Sequence, residues 1–307
     1  MPIASSLLNK PRLVKKLRDF YTYVQKNDGK VGNKTRGIDL NFNNACNLKC
    51  SYCSPQFSST WHQEVKKHGA YPTSNPHNDP EHFRGERRPI PNKDSNPWRE
   101  AFWLWWPDLY KDLKHFRMTG GEPLMDPNTY RVFDYVLENP KSDLHLNVTS
   151  NFSVDDKLFD KYIGYVKRLC EGEQIEHFMQ FVSLDTWGKQ AEYIRYGLDF
   201  EKCISRVEQF IKDVPYRSSL TFIITMKKLL EYILYLRKTY TKTYQRVWFD
   251  TPLLYTPEWQ SMQILPNSYS ICLEECIEYM NDNLDEMHGF KDYEVLKMQR
   301  DLAWMVK

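Results

Sequence analysis

Six short apolar runs lie between Gly37 and Phe249, and segments with helical spacing of apolar residues separate most of them. The runs are Gly37–Phe42, His115–Thr119, Leu144–Thr149, Met179–Leu184, Leu220–Thr225 and Arg246–Phe249. Helices are expected after Asp126, with that residue as N-cap and Pro127 at the first position, and then over 155–170, 190–196, 201–214 and 229–240. Strands joined in this way must run parallel with right-handed crossovers, and parallel barrel-like sheets gather their chemistry at the C-terminal strand ends.

The expected fold class is therefore α/β, a partial (βα)6 TIM-like barrel. An N-terminal helix over 10–27 carries Leu13, Leu17, Phe20 and Val24 on one stripe, and Asn27-Asp28-Gly29 ends it. A long insertion of about residues 70–110 follows the first strand. It begins with a segment dense in Pro, Asn, Asp, His and Arg and closes on an aromatic helix with Trp98, Phe102, Trp103, Trp105 and Trp106, whose rings are expected to pack the insertion onto the body. Two helices, 268–281 and 293–305, form a C-terminal helical extension. The corresponding division is residues 1–35 as N-terminal helical extension, 36–252 as barrel and 253–307 as C-terminal helical cap.

A net charge of +2 argues against bulk binding to nucleic acid or to an anionic membrane, and the Arg84, Arg87, Arg88 cluster reads as a solvated loop. No stretch approaches the ~18 uninterrupted apolar residues of a membrane span. The N-terminus, Met1 to Leu8, lacks the basic and apolar regions of a secretory signal. Seven cysteines, an odd number with three in one loop, fit a reducing compartment, so the expected location is cytoplasmic, that of a phage-infected host included.

Those three cysteines are Cys46, Cys50 and Cys53, set C-x3-C-x2-C directly after the first strand. Such crowding is consistent with a disulfide, a zinc site or an iron–sulfur cluster. Structural zinc takes four closed ligands and no fourth lies nearby; His62, the one imidazole close in sequence, falls on an expected helix surface. Three thiolates on a four-iron cubane leave one iron open for chemistry. Other polar signals fall at later strand ends: Gly120-Gly121-Glu122-Pro123, Ser150-Asn151, and Ser183 with Asp185. Cys170 and Cys203 lie within expected helices, and Cys272 and Cys276 share one helix face at i, i+4 spacing, where they read as small apolar residues in preference to ligands of an auxiliary cluster.

The triad followed by GGEP in this order resembles the radical S-adenosylmethionine (SAM) superfamily over about residues 36–250. The resemblance implies a 4Fe-4S cluster held by Cys46, Cys50 and Cys53, with SAM on the fourth iron. It implies Tyr52 beside the adenine, Gly120, Gly121 and Glu122 at the methionine amino group, and Ser150 and Asn151 at the third strand end. Ser183 and Asp185 would face the ribose, and Arg195, on the helix after the fourth strand, would pair with the methionine carboxylate. This sequence departs from the family in having Phe152 where a Gly usually follows Ser150-Asn151. The implied activity is reductive cleavage of SAM to a 5'-deoxyadenosyl radical that takes hydrogen from an organic substrate. A peptide or protein is the first substrate class, with a nucleoside or other small molecule as the alternative, and an external electron donor such as flavodoxin or ferredoxin is implied. A weaker resemblance to twitch-domain-containing radical SAM proteins rests on Trp61, the aromatic insertion and residues 244–263. The rival reading is a non-catalytic iron–sulfur or SAM-binding partner subunit.

Overall fold

The computed structural model describes residue 22 and residues 35–72, 95–214, 217–224, 226–240 and 246–306. The helix expected over 10–27 falls, except for residue 22, outside the described residues, as do Arg84, Arg87, Arg88 and the first part of the insertion.

Six parallel strands form the sheet: β1 (Gly37–Asn41), β3 (His115–Thr119), β4 (Lys141–Ser150), β5 (Ile175–Asp185), β7 (Ser218–Ile224) and β8 (Val247–Asp250). They pair in sequence order, β1 and β8 form the two edges, and the partial barrel stays open. A separate two-residue ladder joins β2 (Lys49–Cys50) antiparallel to β6 (Arg195–Tyr196).

Helices carry the chain between strands. The segment from β1 to β3 contains α1 (Ser59–His68) and α2 (Pro97–Asp112); α3 (Pro127–Glu138), α4 (Asp156–Glu171) and α5 (Gly188–Ile194) follow β3, β4 and β5. Next come α6 (Phe200–Asp213) and α7 (Lys227–Tyr240), and after β8 the chain ends in α8 (Ser270–Asp282) and α9 (Asp292–Met305). Asp126 caps α3, accepting from the Asn128 amide at 2.8 Å, with Pro127 at the first position as expected.

Register explains the two faces. Ile38, Phe116, Leu146 and Phe178 form one row across the sheet, and Leu40, Met118, Val148, Gln180, Leu220 and Val247 form the next. This face, which also carries Val182, Phe222 and Phe249, meets the helices: Phe178 packs on Phe133 and Tyr162, Trp106 on Phe116, and Tyr232 on Phe222. Burial of each large apolar side chain here contributes about 1.5–3 kcal/mol, so this face is the stabilising one.

α2 docks through Phe102 and Trp103, which contact Phe42 at ring separations of 5.3 and 5.8 Å, and through fully buried Trp106. Those rings pack this part of the insertion onto the body, whereas Trp98 and Trp105 stay exposed. Among the described residues no helix is long and apolar enough to cross a membrane.

Candidate cofactor site at the strand ends

The cysteine loop leaves the end of β1 and is gripped on several sides. Gly120 and Gly121 let it approach the end of β3. A Cβ on Gly121 would lie 2.2 Å from the Ala45 carbonyl oxygen, and one on Gly120, whose φ is +113°, would strike the Asn41 side chain. The Glu122 amide donates to the Ala45 carbonyl at 2.6 Å.

The loop is gripped from α1 by Ser58, Ser59 and Thr60, which the sequence did not single out, and by Trp61, which entered only through the weaker family resemblance. The Ser59 hydroxyl accepts from the Cys46 amide at 3.1 Å, the Thr60 hydroxyl donates to the Cys46 carbonyl, and the Ser58 hydroxyl donates to the Leu48 carbonyl at 2.8 Å. Buried Trp61 donates its Nε1–H to the Cys50 carbonyl at 2.8 Å. Gln260, from the segment after β8, donates to the Ser51 carbonyl at 2.9 Å and accepts from the Ser51 hydroxyl at 3.0 Å. For the three hydroxyl residues the advance signal was the run Ser58-Ser59-Thr60 ahead of a helical stripe, which reads as an N-cap; Ser58 does cap α1.

Glu122 is fully buried and joins the ends of β3 and β4. Its carboxylate accepts from the Ser150 hydroxyl at 2.7 Å, the Asn151 amide at 2.8 Å and the Leu124 amide at 3.0 Å. Burial raises its pKa above the ordinary carboxylate range, and these donors oppose the shift. Asn151 donates its side-chain amide to Asn47 Oδ1 at 3.0 Å, tying the β4 end to the cysteine loop. Phe152 takes the left-handed conformation that a Gly would favour, φ 52°, and its ring is buried against Phe159, Tyr162 and Phe210. The turn after Asn151 therefore forms with Phe152 at a position where a Gly would be expected.

Arg195 requires a correction. It was expected on a helix, but α5 ends at Ile194, and Arg195 opens β6 paired with Cys50. Nor is it a surface residue: it is buried, its Nε lies 2.8 Å from Asp185 Oδ2, and Nη1 donates to Cys50 Sγ at 3.4 Å. Tyr52 completes the group, its hydroxyl donating to Asp185 at 2.8 Å while accepting from Arg195 Nη2. Asp185 ends β5 with φ 66°. Ser183 is half-buried on the sheet face turned away from the helices, opposite Ile223.

Burial pushes the Cys46 and Cys53 thiols up to about 12 and raises Cys50 as well, although Arg195 opposes the last shift. A cleft of about 300 Å³ reaches Cys53 between Trp61, Tyr71, Tyr196 and Trp259. Among the described residues no three His, Cys, Asp or Glu side chains are gathered tightly enough to hold one metal ion, the three thiols included. Cys203 is buried against the Asn151 carbonyl, its thiol donating at 3.7 Å, Cys170 is buried, and on α8 Cys276 is buried while Cys272 is exposed, all as free thiols. His62 is exposed on α1.

No protein-family model matches this chain, and no curated protein matches it either. Solved structures do. The anSMEcpe structure with bound AdoMet matches at 15% identity and TM-score 0.46, over 80% of this chain and 58% of that one. Streptococcus suis SuiB bound to S-adenosylmethionine matches at 14% identity and TM-score 0.46, over 89% of this chain and 53% of that one. SuiB bound to its precursor peptide SuiA matches at 13% identity and TM-score 0.40, over 84% and 57%. The chain thus spans less than two thirds of the length of these proteins.

Proposed function

We propose that this chain is a radical SAM enzyme that modifies a peptide or protein. The observation that carries the reading is the convergence on one loop: the ends of β3, β4 and β5 each reach the cysteine loop by hydrogen bonds, through Glu122 N–H, Asn151 and the Arg195–Asp185 pair. The donor set suits the group. Cys46, Cys50 and Cys53 would hold a 4Fe-4S cluster, and three thiolates leave one iron without a protein ligand. Tyr52, Gly120, Gly121, Glu122, Ser150, Asn151, Ser183, Asp185 and Arg195 would hold SAM. When bound, the pair supplies reductive cleavage of the sulfonium and a radical that abstracts hydrogen.

The protein's own part is positional. Arg195 places a fixed positive charge beside the Cys50 sulfur and orients Tyr52, while Asp185 holds both. Glu122, its carboxylate engaged by three donors within the fold, holds the β3 and β4 ends at a constant separation beneath the loop.

Anaerobic reconstitution with iron and sulfide, then dithionite and SAM, is expected to yield 5'-deoxyadenosine and methionine, and Cys50→Ala is expected to abolish both. A reconstituted protein with about four irons per chain that never cleaves SAM would overturn the proposal and favour a non-catalytic subunit.

A further inference from the structure

Parallel sheets are normally covered on both faces, and closed barrels fill their interior with branched apolar side chains. On the face of this sheet turned away from α3, α4 and α7 the central strands carry polar side chains among the apolar ones, and α9 meets it at the β8 edge, where Tyr293 lies 5.9 Å from Trp248. One row across it reads Asp39, Arg117, Asn147, Met179 and Ser219; the next includes Phe181, Thr221 and Trp248, with Thr149 paired to Phe181. Most of these side chains are half-buried, including those on the central strands β4 and β5.

Arg117 is unusual within this surface. Although it stands in register with Asn147, its guanidinium is one step further toward the C-terminal strand ends: Nε and Nη2 donate to Thr149 Oγ1 at 3.2 and 3.0 Å, and Cζ lies 4.4 Å from the Phe181 ring centre. It therefore leans along the sheet toward Ser183 and Asp185. Asp39 is its register partner on β1, yet among the described residues the guanidinium makes no ion pair and turns instead to a neutral hydroxyl. A half-buried cation without a carboxylate is unfavourable, and desolvated guanidinium recognises planar oxyanions in bidentate fashion. Both donors to Thr149 lie on the Nε–Nη2 edge of the guanidinium, which leaves Nη1 and the second hydrogen of Nη2 without a hydrogen-bond partner among the described residues.

We propose that Arg117 anchors the carboxylate of an acidic residue in the peptide substrate, holding that peptide across the open face of the sheet below the cofactor site. The inference rests on the peptide-modifying reading given above. Its test uses two fluorescein-labelled, end-blocked degenerate heptapeptide pools that differ only in a central Glu or Gln, with anisotropy measured on the reconstituted protein plus SAM. The Glu pool is expected to bind about tenfold more tightly, the advantage of a charge-assisted bidentate contact. Arg117→Gln is expected to erase the preference, and Arg117→Lys, which keeps the charge and the fold without the fork, to retain a reduced one. Equal binding of the two pools to the wild type, a preference that survives in Arg117→Gln, or an undiminished one in Arg117→Lys overturns the proposal. Binding needs no turnover, so 5'-deoxyadenosine formation by the wild type separately tests the enzyme reading.

Discussion

Gly121→Ala measures how closely the cysteine loop depends on the turn beneath it. The added Cβ would sit 2.2 Å from the Ala45 oxygen and 2.7 Å from the Asn44 carbonyl carbon. Both atoms are backbone, so no side chain can swing aside and the loop itself must lift. That movement breaks the 2.6 Å hydrogen bond from the Glu122 amide to Ala45. Overpacking of this kind costs about 1–3 kcal/mol and a lost hydrogen bond about 1 kcal/mol more. For a 307-residue chain a loss of roughly 2–4 kcal/mol lowers Tm by about 3–6 °C. The assay pairs thermal unfolding of the metal-free protein with iron per chain after reconstitution, and both are expected to fall. Gly164→Ala is the control: it lies in α4, a Cβ there meets no heavy atom within 4 Å, and the helix is expected to gain about 0.5–1 kcal/mol. Wild-type Tm in Gly121→Ala, or a lowered Tm with undiminished iron uptake, would refute the coupling between turn and loop.

Glu122 sets a pH dependence. Because burial raises its folded pKa above the ordinary 4.5, the folded chain retains a proton that the unfolded chain has released, and stability falls as pH rises from about 4.5 through the folded value. Urea titrations from pH 4.5 upward should show this slope, and Glu122→Gln should flatten it; an unchanged slope would assign it elsewhere. Phe152→Ala removes a ring buried among three others and is expected to cost about 3–5 kcal/mol by denaturant unfolding, with a loss below ~1 kcal/mol contradicting its role in the core. Trp61→Phe removes one of the two donors to the Cys50 carbonyl, the Cys53 amide remaining, an expected cost of about 0.5–1.5 kcal/mol together with lower iron retention under chelator challenge. Retention equal to wild type would show that α1 does not brace the thiols.

Short strands bounded by turn residues were readable from sequence, and His115–Thr119 coincides with the expected run. β5 begins four residues before the expected Met179, since Glu176 and His177 interrupt the apolar pattern there and only Ile175 and Phe178 are buried. The β2–β6 ladder left no trace in sequence, because two residues carry no periodicity and the partners lie far apart in the chain. That omission put Arg195 on a helix. The thiols and strand-end motifs were legible from residue type and order, whereas Ser58, Ser59, Thr60 and Gln260 are ordinary polar residues until the fold brings them to the loop. Phe152 shows packing overriding local preference: a non-Gly residue at positive φ costs roughly 1–3 kcal/mol, comparable with what burying its ring contributes.

A buried Arg–Asp pair seldom adds net stability, and a two-residue ladder is too short to hold itself. Arg195 and Asp185 must then be explained by position: together with β2–β6 they hold Cys50 and Tyr52 against the β5 end, as Glu122 and Asn151 hold the loop against β3 and β4. If these contacts set the loop geometry, the loop is ordered before any cofactor binds. The Ser51 amide donates to the Ile194 carbonyl at 2.8 Å, the Cys53 amide to the Cys50 carbonyl at 2.9 Å, and the Cys46 amide to Ser59 at 3.1 Å, none through a cofactor. Hydrogen exchange on the metal-free protein should therefore show these three amides protected well beyond an exposed loop, and Arg195→Gln should release Ser51 while leaving Cys46 protected by α1. Exchange at unprotected rates throughout residues 44–53 would mean that the cofactor, and not the surrounding strand ends, organises the loop.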